Sequence, residues 1–502
     1  MIPAGRGLRS LKANVRCFSA APSVAGSIGK LTGYMSAPAP HPPLSELVGD
    51  GAPALDLPGQ LPDPVITELP NGVRVATQET YHEASSIGVF VDAGSRHEGM
   101  EHAGATHMLE KLAFAGCEEF SKARIIYEIE MMGANVIANR SRESMIYGAD
   151  VLREHASDMT TLLLECITRP EFKASEVAAQ AEHIAHVELA ELDEEPTNQV
   201  FEAFHRAAYG DSTLGLPMYA NQLSLGAMTP ETLHEFVADN YTGGRVVLAG
   251  ASVDHDEMVR LATQYLGGLP EGTGTKKEMG AAQYVGGEQK VMDANAPLTH
   301  VAVGFEAVGY NHDDMLYYHA LHMMLGGGAS FSAGGPGKGL YSRLYSNVLN
   351  QYPWVQNATA FNVQYEDTGF FGILGATVPA GEQVQHLTSI LCRELEGAAK
   401  NKANNVELGR VKEMLKSSML MNLESRAIVM EDLGRQILAN GKHVSAAELC
   451  KQVDAMTADD MARVAKEMLS KGVSVVSHGD TMKMPGLDVL SHHFSTVVGE
   501  LK

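Results

Sequence analysis

Gly104-Ala-Thr-His107-Met-Leu-Glu110-Lys111-Leu-Ala-Phe114 reads as a helix with two faces. Met108, Leu109 and Leu112 form its buried side. His107, Glu110 and Lys111, at i, i+3 and i+4, share the other. The inverted zinc motif His-x-x-Glu-His has this spacing: two imidazoles ligate the metal and the Glu between them polarises a bound water. Here Lys111 stands where the second imidazole belongs. An ammonium offers no lone pair at neutral pH and repels a dication. It can pair with Glu110 instead. Catalytic zinc takes three protein ligands, so the stretch predicts a helix that binds no zinc and hydrolyses nothing. His-x-x-Glu alone is common on exposed helix faces, and its surroundings carry the weight.

Upstream, Val65 to Thr77 reads as a strand, an Asn71-Gly72 turn and a second strand, and Ser86 to Gly94 as a third. Downstream, helical periodicity covers roughly 103–116, 121–132, 152–166, 174–194 and 229–240. Arg245 to Gly250 is a buried-type strand and Asp256 to Leu266 a helix. A Gly-, Thr- and Lys-rich stretch follows, placing a hinge at 271–288. The second half repeats this order, with strands at 289–292 and 298–305 and a helix over 314–325. Strands within 364–378 are broken by Glu366-Asp-Thr-Gly369. Helices cover 382–399, 405–440 and 457–470, with a late strand from Val473. Residue identities between the halves are weak, but the order recurs. The expected fold is α+β in two similar lobes, 65–270 and 289–500, each mixing antiparallel sheet with long helices.

Between the second lobe's first helix and a short helical stretch at Leu340–Tyr345 lies Gly326 to Gly339, half of it glycine. No regular element is expected there, since glycine loses the most freedom on ordering. A phosphate-binding loop fails on both anchors: Ser332 stands where the first Gly is needed, and Gly339 follows Lys338. An inert linker is the plainer reading, but Phe331 and Pro336 are not linker residues. The functional reading is a flap whose exposed backbone meets a peptide without demanding particular side chains.

All 61 acidic residues lie beyond residue 45, with only five of the 38 basic ones before it, so the body is strongly acidic. That argues against nucleic acid as a partner and for cationic ligands. The five scattered cysteines, without CxxC, read as reduced thiols. Residues 1–35 are Arg-bearing, Ser/Ala-rich and acid-free, the composition of an organelle transit peptide. Arg16-Cys17-Phe18-Ser19 suggests scission after Phe18. Residues 36–64 are a Pro-rich linker or arm.

Gly94-Ser-Arg-His-Glu98 with the stretch 104–114 resembles the inverted-motif, pitrilysin-type metallopeptidases. That family includes the mitochondrial processing peptidase subunits and the core proteins of respiratory complex III. Ala208-Tyr-Gly, Leu214-Gly-Leu-Pro, Phe236 to Gly250, Met421 to Arg426 and Glu431 to Gln436 also match, so the resemblance spans about 65–500. The missing second His and the loop 326–339 are like the alpha-type, non-catalytic members. The resemblance implies a clam of two lobes in the mitochondrial matrix, paired with a zinc-bearing beta subunit and holding no cofactor itself. It implies that Glu188 matches the outer ligand of active relatives, here a surface acid or lysine partner. Glu182 or Glu191 could match one turn away, and a displaced His183/His186 site is rejected. It implies presequence contacts at Gly326, Gly327, Gly328, Ser330, Phe331, Gly334, Gly335, Gly337, Lys338 and Gly339, with Glu191, Asp193, Glu194 and Glu195 as candidate wall acids. The alternative it leaves is a purely structural core subunit of complex III.

Overall fold

The computed structural model describes residues 62–272, 280–329 and 340–501. Around Asn71-Gly72, where Gly72 takes φ +88, β1 (Val65–Glu68) folds back antiparallel onto β2 (Arg74–Gln78). With β3 (Ala84–Val91), β4 (Asn135–Arg140), β5 (Met145–Leu152) and β6 (Val246–Ala251) they form a sheet ordered β1-β2-β6-β3-β5-β4. A second sheet holds β7 (Glu288–Met292), β8 (Thr299–Ala307), β9 (Gly327–Ala329), β10 (Val355–Gln364), β11 (Gly369–Thr377) and β12 (Val473–Gly479). Its order is β7-β12-β8-β11-β10-β9. The parallel pair β2–β6 answers β7–β12, and the antiparallel run β6-β3-β5-β4 answers β12-β8-β11-β10. β1 and β9 are additions at opposite edges.

The helices keep the same correspondence. In the first lobe α1 (Ala105–Leu112) and α2 (Lys122–Met132) precede β4. Then come α3 (Ala156–Thr168), α4 (Ala174–His183), α5 (Leu189–Asp193), α6 (Pro196–Tyr209), α7 (Gln222–Ala227) and α8 (Pro230–Asn240), with α9 (His255–Tyr265) after β6. In the second lobe α10 (Met315–Leu325) precedes β9. It is followed in turn by α11 (Gly381–Lys400), α12 (Asn405–Asn422), α13 (Arg426–Asn440), α14 (Ala446–Ala455), α15 (Ala458–Leu469) and, after β12, α16 (Leu487–Leu501).

One face of each sheet packs on its own helices: Val89, Met145 and Tyr147 share a core with Leu109, Leu163 and Phe236. The other face is covered by the opposite lobe. Val429, Met430, Leu433 and Ile437 of α13 bury Phe90, Val247 and Ala249 of the first sheet. Val200, Phe204 and Ala208 of α6 bury Ala302, Phe370 and Val476 of the second. Each fully buried aliphatic or aromatic side chain of this kind contributes about 1.5–3 kcal/mol. Glycines make the fit. Gly88 pairs with Gly148, and Gly304 with Gly372, at matching places in the two sheets. A Cβ at Gly88 would overlap the Met430 sulfur, and one at Gly304 would come within 2.9 Å of Phe204 Cζ.

Several expectations need correction. Gly327–Ala329 is a strand, pairing with Asn357–Thr359 of β10, so the glycine stretch begins in sheet. Its remainder, with Ser330, Phe331, Gly334, Gly335, Gly337, Lys338 and Gly339, lies outside the described residues. The stretch read as one helix over 405–440 is α12 and α13, separated at Leu423–Ser425. The stretch 340–345 opens in a turn and becomes helical only toward a π turn at Tyr345–Leu349. The stretch 174–194 is α4 and α5 joined by a π turn, Ile184–Glu188. β4, β5, α6, α7, α14 and α16 were not anticipated, nor was most of β10.

Candidate functional site

Helix α1 begins at Gly104, whose φ of +86 turns the chain into it. Its first turn is capped from a distance. Glu98 accepts hydrogen bonds from the Gly104 and Thr106 amides at 2.7 and 2.8 Å and from the Thr106 hydroxyl at 2.5 Å. Burial pushes the Glu98 carboxyl up to about 7 against these bonds. The quoted Gly94–Glu98 stretch thus has a structural task at the start of the motif helix.

The structure brings His107, Glu110, Lys111 and Glu188 together. His107 is 1% exposed at its side chain. Its Nδ1 accepts the Ala220 amide at 3.3 Å, which leaves Nε2–H to donate to Glu188 Oε2 at 3.2 Å. The π turn sets Glu188 above α1, a local distortion frequent at functional positions. Lys111 Nζ lies 3.0 Å from Glu188 Oε2 and 3.4 Å from Glu110 Oε1. Arg140, at the end of β4, pairs with the other Glu110 oxygen, donates to Met218 O at 3.1 Å and stacks 5.0 Å from the Tyr219 ring centre. Burial, then the Arg140 charge, push His107 down to about 4. Burial alone would raise Glu188, but hydrogen bonds from Lys111 and His107 outweigh it and hold the carboxyl below its usual range.

This donor set does not fit zinc. The one imidazole turns an N–H, not a lone pair, toward Glu188, and both carboxylates are engaged by cations. Among the described residues no cluster of three or more His, Cys, Asp or Glu could hold a metal. His183 and His186 are exposed, with His183 Nε2 3.9 Å from Glu188 Oε1. Glu182, Glu191, Asp193, Glu194 and Glu195 are also exposed and stand apart from the interlobe cavity.

That cavity, of about 1070 Å³, lies between the lobes. Arg140, Tyr219, Glu202 and His205 line it from the first lobe, and His319, Gln364, Tyr365 and Asn440 from the second. Beside it the β4–β5 and β10–β11 turns meet. Arg96 joins them, donating to Glu143 Oε1 at 2.8 Å and to Asp367 at 3.0 and 2.6 Å. The Glu366 amide donates to Glu143 at 3.1 Å. Sequence reading quoted Arg96 only as part of a motif and missed Glu143, Asp367, Arg140 and Gln364. The signal available was the internal repeat, which sets Arg140 and Gln364 at corresponding strand ends.

Two family models match the chain: Insulinase (Peptidase family M16) over residues 74–222, and Peptidase M16 inactive domain over 227–415. The chain is 39% identical over 432 residues to the mitochondrial-processing peptidase subunit alpha of Solanum tuberosum, covering 86% of this chain and 84% of that one. It is 34% identical over 455 residues to the Homo sapiens subunit alpha, covering 87% and 86%. Among solved structures, a chain of Complex III2 from Candida albicans, Inz-5 bound, matches with a TM-score of 0.71 at 18% identity. The match covers 86% of this chain and 99% of that one, a likeness of fold. With both lobes matched and its relatives aligned over most of their length, this chain belongs to peptidase family M16, in its group of mitochondrial-processing peptidase alpha subunits.

Proposed function

We propose that this chain is the non-catalytic, presequence-recognising subunit of a mitochondrial processing peptidase. It receives basic targeting peptides in the matrix and presents them to a zinc-bearing beta subunit. The observation that carries the reading is the Lys111 ammonium, 3.0 Å from Glu188, in the place of a metal ligand. In a helix wired this way Glu110, the acid that would polarise water, is tied to Lys111 and Arg140 instead. The relatives named alpha subunits support the pairing with a beta partner. The chain's net charge of −23 supports attraction of cationic peptides, which weakens as salt rises.

Two assays test it. Purified alone, the chain should cleave no presequence with or without added zinc, and zinc-dependent cleavage would overturn the reading. Deleting residues 330–339 should abolish presequence processing by the assembled enzyme while the chain still folds and assembles. Lost respiratory-complex assembly with intact processing would point instead to a scaffold role.

A further inference from the structure

In a chain of net charge −23, one cavity away from the interlobe space is lined mainly by basic side chains. It has a volume of about 820 Å³ and lies where the end of α11, the start of α12 and the stretch 341–347 meet. Arg343, Arg393, Lys402 and Arg410 line it, with Glu394 and Glu407 as the only acids on its wall. Both acids are already engaged. Glu407 takes both prongs of the Arg343 fork, at 2.8 and 3.0 Å. Glu394 accepts from the Asn347 amide at 2.9 Å, and Arg393 Nε lies 3.9 Å from its other oxygen.

Arg343 builds the wall and is spent there. It also donates to Gly397 O at 3.0 Å and Asn401 O at 2.9 Å, carbonyls at the end of α11. The other cations keep donors to give. Arg410 gives one N–H to Tyr341 O at 3.0 Å and stands 5.7 Å from the Tyr341 ring centre. Among the described residues no acid pairs with it, and a guanidinium has five N–H groups. Arg393 donates to the Tyr352 hydroxyl at 3.3 Å, and its side chain is largely exposed. Lys402 pairs with Asp459, an exposed acid outside the cavity wall. Exposed ion pairs are weak, so this ammonium turns readily to another anion. Asn404 caps the first amides of α12, which leaves binding to the side chains.

We infer that this cavity binds a phosphate ester carrying more than one phosphate group, either free or as a lipid headgroup. The phosphate oxygens take the forks of Arg410 and Arg393, whose planar geometry matches them, and Lys402 as a point charge. The cavity is far larger than a single phosphate ion and falls within the range of small-molecule sites. Exposed Val406 and Tyr341 on its wall offer apolar surface to the organic part of the ester. The sign of the charge makes this a different site from one for basic presequences, which these cations repel.

The test uses the purified full chain. Titration calorimetry follows ATP and pyrophosphate, and flotation follows phosphatidylcholine vesicles containing cardiolipin, whose headgroup carries two phosphates. At least one probe should bind, more weakly as salt rises. Arg410→Gln and Lys402→Gln should each lower its affinity roughly tenfold with Tm unchanged. Lys412→Gln, which removes a cation of α12 outside the cavity, should bind as the wild type does. Binding of ATP or pyrophosphate that the two variants lose assigns a free ester; vesicle binding alone, lost in the same variants, assigns a lipid headgroup. No binding of any probe by the wild-type chain, binding that both variants leave intact, or equally tight binding of a poly-glutamate peptide overturns the inference.

Discussion

At position 111 a four-carbon stem ends in an ammonium where the motif's spacing asks for an imidazole. The consequence is measurable without any activity assay. Lys111→Leu leaves Glu188 with His107 and the more distant His183, and Glu110 with Arg140. The Lys111 pairs are partly exposed, so the expected loss is about 1–3 kcal/mol in urea unfolding; a change within error would show that the network is idle. His205 sets a pH dependence. Its Nδ1–H donates to Phe201 O and its Nε2 accepts from the Tyr365 hydroxyl, both at 2.6 Å, so both nitrogens are committed to the neutral ring. Burial, then the Arg142 charge, hold it well below the ordinary imidazole value. The unfolded chain takes up this proton near pH 6.5 and the folded one resists it. The contribution is therefore whole above about pH 6.5 and is lost as pH falls below it, at up to about 1.4 kcal/mol per pH unit. His205→Gln should flatten the fall of Tm between pH 7 and 5, and an unchanged slope would count against this account.

Among the elements, α13 is placed by an absence. A Cβ on Gly434 would overlap the ring of Phe90, a residue with no exposed surface. Gly434→Ala gains about 1 kcal/mol of helix propensity but forces the helix off the sheet, an overpacking cost of about 1–3 kcal/mol. A net loss is expected, and Gly434→Val should lose more; thermal unfolding of the two variants orders them. The same position explains part of what the sequence hid. Strongly periodic helices such as α3, α8 and α15 were legible, as was the Asn71-Gly72 hairpin. α6 escaped because its exposed side is polar and the apolar residues it does carry answer to a sheet that begins about 80 residues further along the chain. β4 escaped because it is an edge strand whose residues alternate between half-buried and exposed, without the apolar run of β6. His107, Glu110 and Lys111 were legible from their spacing and surroundings, and Glu188 from the family resemblance. Arg140, Glu143 and Gln364 were not, because their partners come from distant segments.

Across the whole molecule the two lobes are pinned where their equivalent hairpin turns meet. Arg96 is 9% exposed and serves Glu143 and Asp367 at once. Burial pushes Glu143 up to about 7 even beside that guanidinium. For Asp367, burial alone would raise the carboxyl, but the hydrogen bonds from Arg96 and the Ala282 amide and the Arg96 charge outweigh it and hold it below its usual value. Arg96→Leu strands two neighbouring acids, and a loss of about 3–5 kcal/mol is expected for a broken buried network. It should show as a lower urea midpoint with an unchanged m-value if the lobes still unfold together. A second, earlier transition would show that this junction is what makes them one cooperative unit.

The exchanged helices also set an order of events during synthesis. The first sheet is complete once residue 251 has emerged, yet its back face stays bare until residues 426–440 follow, a wait of some 175 residues. Neither half should therefore survive expression by itself as a well-behaved monomer. Two separately produced halves mixed together should rescue one another, each supplying the helix that covers the other's sheet.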